Sequence, residues 1–156
     1  MLVKLYGHTE KPELEAGLKK HGILIKRGMP ADRNRAVQFV KNHFGDGWSH
    51  DCEYAFTNHP VSCFLAVQEK SVVGFACYDV QAKNFFGPIG VLEEYRKIGV
   101  GESLLRRCLR VMEGDGYAYA VIGWVDGAEG FYSGTVGAVV IENSCPGIYR
   151  NLISME

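Results

Sequence analysis

Apolar and polar positions follow three rhythms along this chain, and each change of rhythm marks an element. Residues 2–6 alternate and predict a short strand. Pro12 to Lys20 predicts a helix, with Pro at its start, Glu13 and Glu15 early, Lys19 and Lys20 late, and Gly22 beyond the end. Ile23–Arg27 is β-branched and reads as a strand. Ala36, Val37, Phe39, Val40 and Phe44 form one helical face, so Pro30 to Phe44 predicts a helix. The glycines and Asp46 after it predict a loop and then a short helix to Asn58. Cys63–Gln68 and Val72–Val80, joined by Glu69-Lys70-Ser71, predict an antiparallel hairpin. A strand Phe85–Val91, a helix Glu102–Met112, a strand Tyr117–Trp124, a short helix Ala128–Gly134 and a strand Ala138–Ile141 follow. Pro146 and Gly147 open a tail.

The order of helices and strands predicts an α/β domain. A length of 156 residues suits one domain with a normal core. A net charge of -1 supplies no basic field for nucleic acid or a membrane surface. The apolar runs are too short to span a membrane, and no cleavable leader is expected, which favours a cytoplasmic protein. The five cysteines, Cys52, Cys63, Cys77, Cys108 and Cys145, include no C-x-x-C pair. They are expected to be reduced and mostly buried, with no metal site.

The chemistry concentrates between Phe85 and Met112. A strand leads into Arg96-Lys97-Ile98-Gly99-Val100-Gly101, and a helix follows at once. A helix N-terminus presents unpaired N–H groups and the positive end of a dipole to an anion. Gly99 and Gly101 let that anion approach the backbone, and Arg96 and Lys97 add charge in front of it. The spacing fits neither the dinucleotide fingerprint nor a P-loop. Strand, R-x-x-G-x-G and amphipathic helix together resemble the acetyl-CoA loop of the GNAT superfamily of N-acetyltransferases. That resemblance covers roughly residues 23–142 and implies the GNAT-type α/β fold, a mixed, mostly antiparallel central sheet flanked by helices. It leaves 1–22 as an N-terminal extension, expected to add an edge element or a dimer contact, and 143–156 as a C-terminal tail. It implies that Arg96, Lys97, Ile98, Gly99, Val100 and Gly101 hold the pyrophosphate and that Val91 pairs with the pantetheine arm.

A second stretch, Ala128-x-x-Phe131-Tyr132 with Val136-Gly137-Ala138, resembles a further signature of the same superfamily. The resemblance places Tyr132 where a phenol protonates the leaving thiolate. Val125 and Gly134 replace the asparagine and lysine of that signature, and Gly137 comes one residue late. His43, His50, Asp51 and Glu53 crowd into the stretch where the family binds its acceptor. Glu53 is the candidate base there, and Trp48 and His50 are candidate substrate contacts. The same residues read as solvated loop positions, and Trp48 equally as a core anchor. Arg150 in the tail is a candidate grip on a substrate carboxylate. The implied reaction moves an acetyl group from acetyl-CoA to the primary amine of a small molecule, by direct attack in a ternary complex. The alternatives are a CoA-binding module without turnover and a peptide or protein acetyltransferase.

Overall fold

The computed structural model describes residues 1–8 and 10–153. The elements run β1 (Leu2–Lys4), α1 (Pro12–Lys20), β2 (Ile23–Arg27), α2 (Arg33–Phe44), α3 (Asp46–Ala55), β3 (Cys63–Gln68), β4 (Ser71–Tyr78), β5 (Phe85–Val91), α4 (Val100–Gly114), β6 (Tyr119–Ile122) and α5 (Glu129–Val136). Six strands form one sheet in the order β1-β6-β5-β4-β3-β2. Every pairing is antiparallel except β5 with β6. The N-terminal segment therefore joins the sheet, with β1 as its edge strand and α1 packed toward α4.

Each face of the sheet has its own core. On one face α4 buries Val100, Leu104, Leu105, Cys108, Leu109 and Met112 against Phe64, Ala66, Ala76 and Ile122. That stripe has the spacing of a helix laid along a sheet. Fully burying one such large apolar side chain is worth about 1.5–3 kcal/mol. On the other face α2 and α3 cover Leu65, Phe75, Cys63 and Cys77 with Ala36, Val40, Cys52 and Ala55. Four of the five cysteines are buried thiols and Cys145 is exposed. The sulfurs of Cys52, Cys63 and Cys77, far apart in sequence, lie within 4.8 Å of one another in this second core.

Three predicted elements differ in the structure. The loop expected after Phe44 is absent: Gly45, at φ 94°, turns the chain straight from α2 into α3, which ends at Ala55 and not at Asn58. The helix expected from Pro30 begins as a 3-10 turn, Pro30–Asp32, before α2 takes over. Asp32 stays out of the regular helix because its carboxylate accepts from the Met29 N–H at 2.8 Å and from Lys26 Nζ at 2.6 Å. The strand expected over Ala138–Ile141 does not form; Val139 makes a single bridge to Leu2. Extending that ladder would need Gly137 opposite Lys4, but Gly137 caps α5 in the left-handed region at φ 66°. In the other direction it would need Val140 opposite Met1, whose amino group already donates to Ile122 O at 2.6 Å.

The feature that prepares a site is the failure of β5 and β6 to stay together. They pair only at Phe85↔Val121 and Phe86↔Ile122. β5 then runs on beside β4 as far as Gly74↔Val91, while β6 ends at Ile122. Gly87 to Val91 thus have an edge with no strand partner among the described residues.

Candidate active site

The open edge of β5 leads directly to the N-terminus of α4. Leu92 N donates to Val73 O on β4 at 3.0 Å. Strand groups alternate sides, so Val91 turns its N–H and carbonyl the other way, into the opening. The Val91 carbonyl accepts from Arg96 Nε at 3.0 Å. That bond folds the loop back on the strand and leaves the terminal nitrogens of the guanidinium for another acceptor. Lys97 and Gly99 both adopt positive φ, 63° and 98°, which turns the chain sharply into α4. For Gly99, the N-cap, this conformation is easy; for Lys97 it is uncommon. The first N–H groups of α4 have no intrahelical acceptor and point out of the helix end.

A cleft of about 650 Å³ lies at this junction. Arg96, Lys97, Gly99, Gly101 and Glu102 line one end, and Ile89, Gly90 and Val91 form its floor. Phe44 and Trp48 wall it from α2 and α3, and Phe131 and Thr135 wall it from α5. Gly90 is required by this packing: a Cβ there would lie 2.7 Å from the Phe44 ring and 2.8 Å from Phe75. A Cβ on Gly101 would sit 3.6 Å from Phe131, an ordinary contact, so its value lies in access to the helix end. Glu102 is the one acid among the lining residues. Burial works against its charge, yet Arg106 and Lys11 hold its carboxyl below the usual value and keep it occupied.

The structure brings some sequence-nominated residues to this cleft and leaves others away from it. Val91, Arg96, Lys97, Gly99, Gly101 and Trp48 line it. Ile98 is exposed beside the loop, and the Val100 side chain is buried in the core, so Val100 can offer only its backbone. Tyr132 is buried, edge-on to Phe86 with ring centroids 6.2 Å apart. Burial alone pushes its phenol up to about 12, so it stays protonated at physiological pH. Glu53 is not in the cleft lining; it lies on the exposed side of α3, paired with Arg33 at 2.7 Å. His50 and Arg150 are exposed.

Asp51, one of the titratable residues crowded into this stretch, has an environment unlike that of Glu53. Asp51 is half-buried and accepts from Gln81 Nε2 at 2.7 Å. Burial raises its carboxyl to about 6, opposed by the Gln81 hydrogen bond and by His50, with Cys52 adding to the rise. Tyr149 belongs to the C-terminal turn Gly147–Asn151, and its phenol is raised first by burial and then by Asp51. Tyr149 also lies against Gly123, so the C-terminal turn reaches the end of β6. The signal that could have found Asp51 was the phase of α3, since Asp51 and Glu53 fall on different sides of a helix.

Residues 32–135 match the family model described as the acetyltransferase (GNAT) family. The chain belongs to the GNAT acetyltransferase family. Acetyl-CoA is the cofactor of this family. No curated protein matches the sequence significantly. Solved structures place the fold in the same family. The GCN5-related glucosamine N-acetyltransferase region of a fungal multi-domain GH3 β-N-acetylglucosaminidase superposes with a TM-score of 0.65 at 15% identity, over 86% of this chain and 19% of that one. A GCN5-related N-acetyltransferase from Sphaerobacter thermophilus gives 0.62 at 19% identity, over 78% of this chain and 40% of that one. A Brucella melitensis GNAT acetyltransferase in complex with acetyl-CoA gives 0.52 at 20% identity, over 72% of this chain and 80% of that one. The chain thus spans less than half the length of the first two neighbours. Among the described residues, no helix of this GNAT domain is long and apolar enough to cross a membrane.

Proposed function

We propose that this domain transfers the acetyl group of acetyl-CoA to the primary amine of a small molecule, with both substrates bound together. The observation that carries the reading is the unpaired edge of β5 running into the helix end of α4 beside Arg96 and Lys97. The cleft suits a long cofactor with an anionic end. The Gly99–Glu102 helix end and the two basic side chains fit a pyrophosphate. The open groups of Ile89 and Val91 fit an amide-bearing arm, as a strand would. Gly90 and Gly101 keep side-chain bulk away from both.

Acetyl-CoA supplies an acetyl group activated as a thioester. The chain supplies position and proton traffic. Holding two reactants in line contributes the larger part of such an acceleration. The Val91 N–H faces the cleft, where it can donate to a carbonyl oxygen as negative charge develops on it. The protonated phenol of Tyr132 can donate to a departing sulfur. A small acceptor is favoured by the aromatic side chains, Phe44 and Trp48 from one side and Phe131 from the other, that line the cleft.

The test is calorimetric binding of acetyl-CoA to the wild-type chain and to Gly101→Glu, followed by thiol release with an amine panel. Binding that the substitution abolishes, with thiol release on adding an amine, supports the proposal. Binding without release from any amine points instead to a module that holds CoA. Absence of binding removes the reading altogether.

A further inference from the structure

Among the described residues, every carboxylate that is not fully exposed has a lysine or arginine partner, with one exception. Glu15 has Arg107, Asp32 has Lys26, Asp79 has Lys83, and Glu102 has Lys11 and Arg106. Asp51 has none. A carboxylate withdrawn from water is normally compensated by a cation, because desolvating the charge costs several kcal/mol. One amide hydrogen bond from Gln81 is modest compensation.

The surroundings of Asp51 complete a recognisable chemistry. Tyr149 is close enough for the Asp51 charge to raise its phenol. Trp124 meets Tyr149 edge-on at 5.3 Å and is itself 69% exposed. The chain arranges this deliberately at Gly123. A Cβ at that position would land on the Tyr149 hydroxyl, so glycine is what lets the ring lie against the end of β6. Trp124 then takes positive φ, 53°, an uncommon conformation for so large a residue. A carboxylate without a lysine or arginine partner, close to an aromatic pair, suits an organic cation, by ion pairing and cation–π attraction together.

The location fits the cleft. Ile122 pairs with Phe86, so Gly123 comes level with Gly87, where β5 and β6 part. From there to Val91 is four residues of strand, roughly 13 Å at about 3.3 Å per residue. Asp51 also lies one helical turn beyond Trp48, which walls the cleft. Tyr149 and Trp124 thus stand level with the start of the open β5 edge, and the basic loop follows its other end at Val91.

We infer that Asp51, with Tyr149 and Trp124, forms the acceptor site, where Asp51 holds the ammonium of a cationic primary amine with an apolar body and takes its proton. This rests on the acetyl-transfer reading above. One proton passes from the ammonium to the Asp51 carboxylate, and the nitrogen gains a free pair. The C–N bond forms as the C–S bond breaks. The sulfur takes a proton from Tyr132. Nitrogen loses two protons on the way to the amide: the first reaches solvent through Asp51, and the second replaces the one Tyr132 gives to the sulfur, so the products are the amide, the CoA thiol and one released proton. The groups that set the charge on Asp51 are His50 and Cys52 on α3 and Tyr149 on the C-terminal turn, with Gln81 neutral. The acceptor so defined carries no carboxylate near its amine, which Asp51 would repel.

The experiment compares 2-phenylethylamine with phenylalanine at saturating acetyl-CoA, in wild type, Asp51→Asn and Gly123→Ala. Wild type is expected to favour 2-phenylethylamine at least tenfold in kcat/KM, with an acid limb near pH 6. Asp51→Asn is expected to lower kcat/KM about a hundredfold and erase that limb. Its acetyl-CoA affinity should stay within twofold of wild type. Gly123→Ala should raise KM for the amine more than it lowers kcat. An Asp51→Asn enzyme with normal kinetics and an intact limb overturns the inference, as does an equal loss of acetyl-CoA affinity. Wild type that binds acetyl-CoA yet neither binds nor acetylates either amine at 10 mM also overturns it, and leaves the cofactor reading standing.

Discussion

The basic loop and the proposed acceptor cluster are built in opposite ways. The loop is one continuous piece of chain, from the last residues of β5 through Arg96 and Gly99 into α4. The cluster is assembled from α3, the residues after β4, the end of β6 and the C-terminal turn. A continuous site is specified by local chemistry: a strand, two glycines, two cations and a helix start. An assembled site exists only once the sheet and its covering helices have fixed who faces whom. The first should tolerate changes elsewhere in the fold, and the second should not.

The sharpest way to break the comparison is Gly101→Glu. It places a carboxylate at the helix end where the phosphates are proposed to sit, and acetyl-CoA affinity should fall by at least a hundredfold, measured by calorimetry. Gly101→Ala should cost far less, because its Cβ meets only ordinary contacts. Asp51→Asn is the counterpart in the cluster, a loss of about a hundredfold in kcat/KM with the cofactor still bound. Its stability should hold or rise at neutral pH. A carboxyl raised to about 6 in the folded chain binds its proton more tightly folded than unfolded, so stability falls as pH rises from the ordinary value of 3.8 to about 6 and stays at the lower level above it. A thermal melt of both proteins at pH 5 and pH 7.5 reads this directly.

Smaller effects sharpen the picture. Tyr132→Phe should lower kcat roughly tenfold with little change in folding, since the buried ring makes its contacts through its faces and edges. Gly90→Ala should destabilise the fold by about 1–3 kcal/mol in denaturant titration, because its Cβ would overlap the Phe44 and Phe75 rings. Glu53→Gln should leave kcat/KM within twofold and stability within about 0.5 kcal/mol, as expected for an exposed pair.

The same contrast explains what could be read from the sequence. Eleven elements were legible in outline from periodicity and punctuation, because amphipathic spacing and glycine or proline stops act locally. The basic loop was legible because its chemistry is contiguous. Val139 and Val140 carry the apolar content of a strand, yet they stay at the surface: the ladder they would need is blocked by the αL cap at Gly137 and by the engaged Met1 amine. Glu53 was nominated in place of Asp51 because a stretch read partly as loop has no phase. Once α3 runs from Asp46 to Ala55, the two acids part, one to Arg33 and the other toward Gln81 and Tyr149. Gly123 gave no signal in sequence, since its partner lies 26 residues on.

The account rests on the basic loop and the acceptor cluster being separable, and one calorimetric series tests that most directly. Acetyl-CoA is titrated into wild type, Gly101→Glu and Asp51→Asn under identical conditions. The expected result is tight binding to wild type and Asp51→Asn and none to Gly101→Glu. Equal weakening in both variants, or unchanged binding in Gly101→Glu, would contradict it.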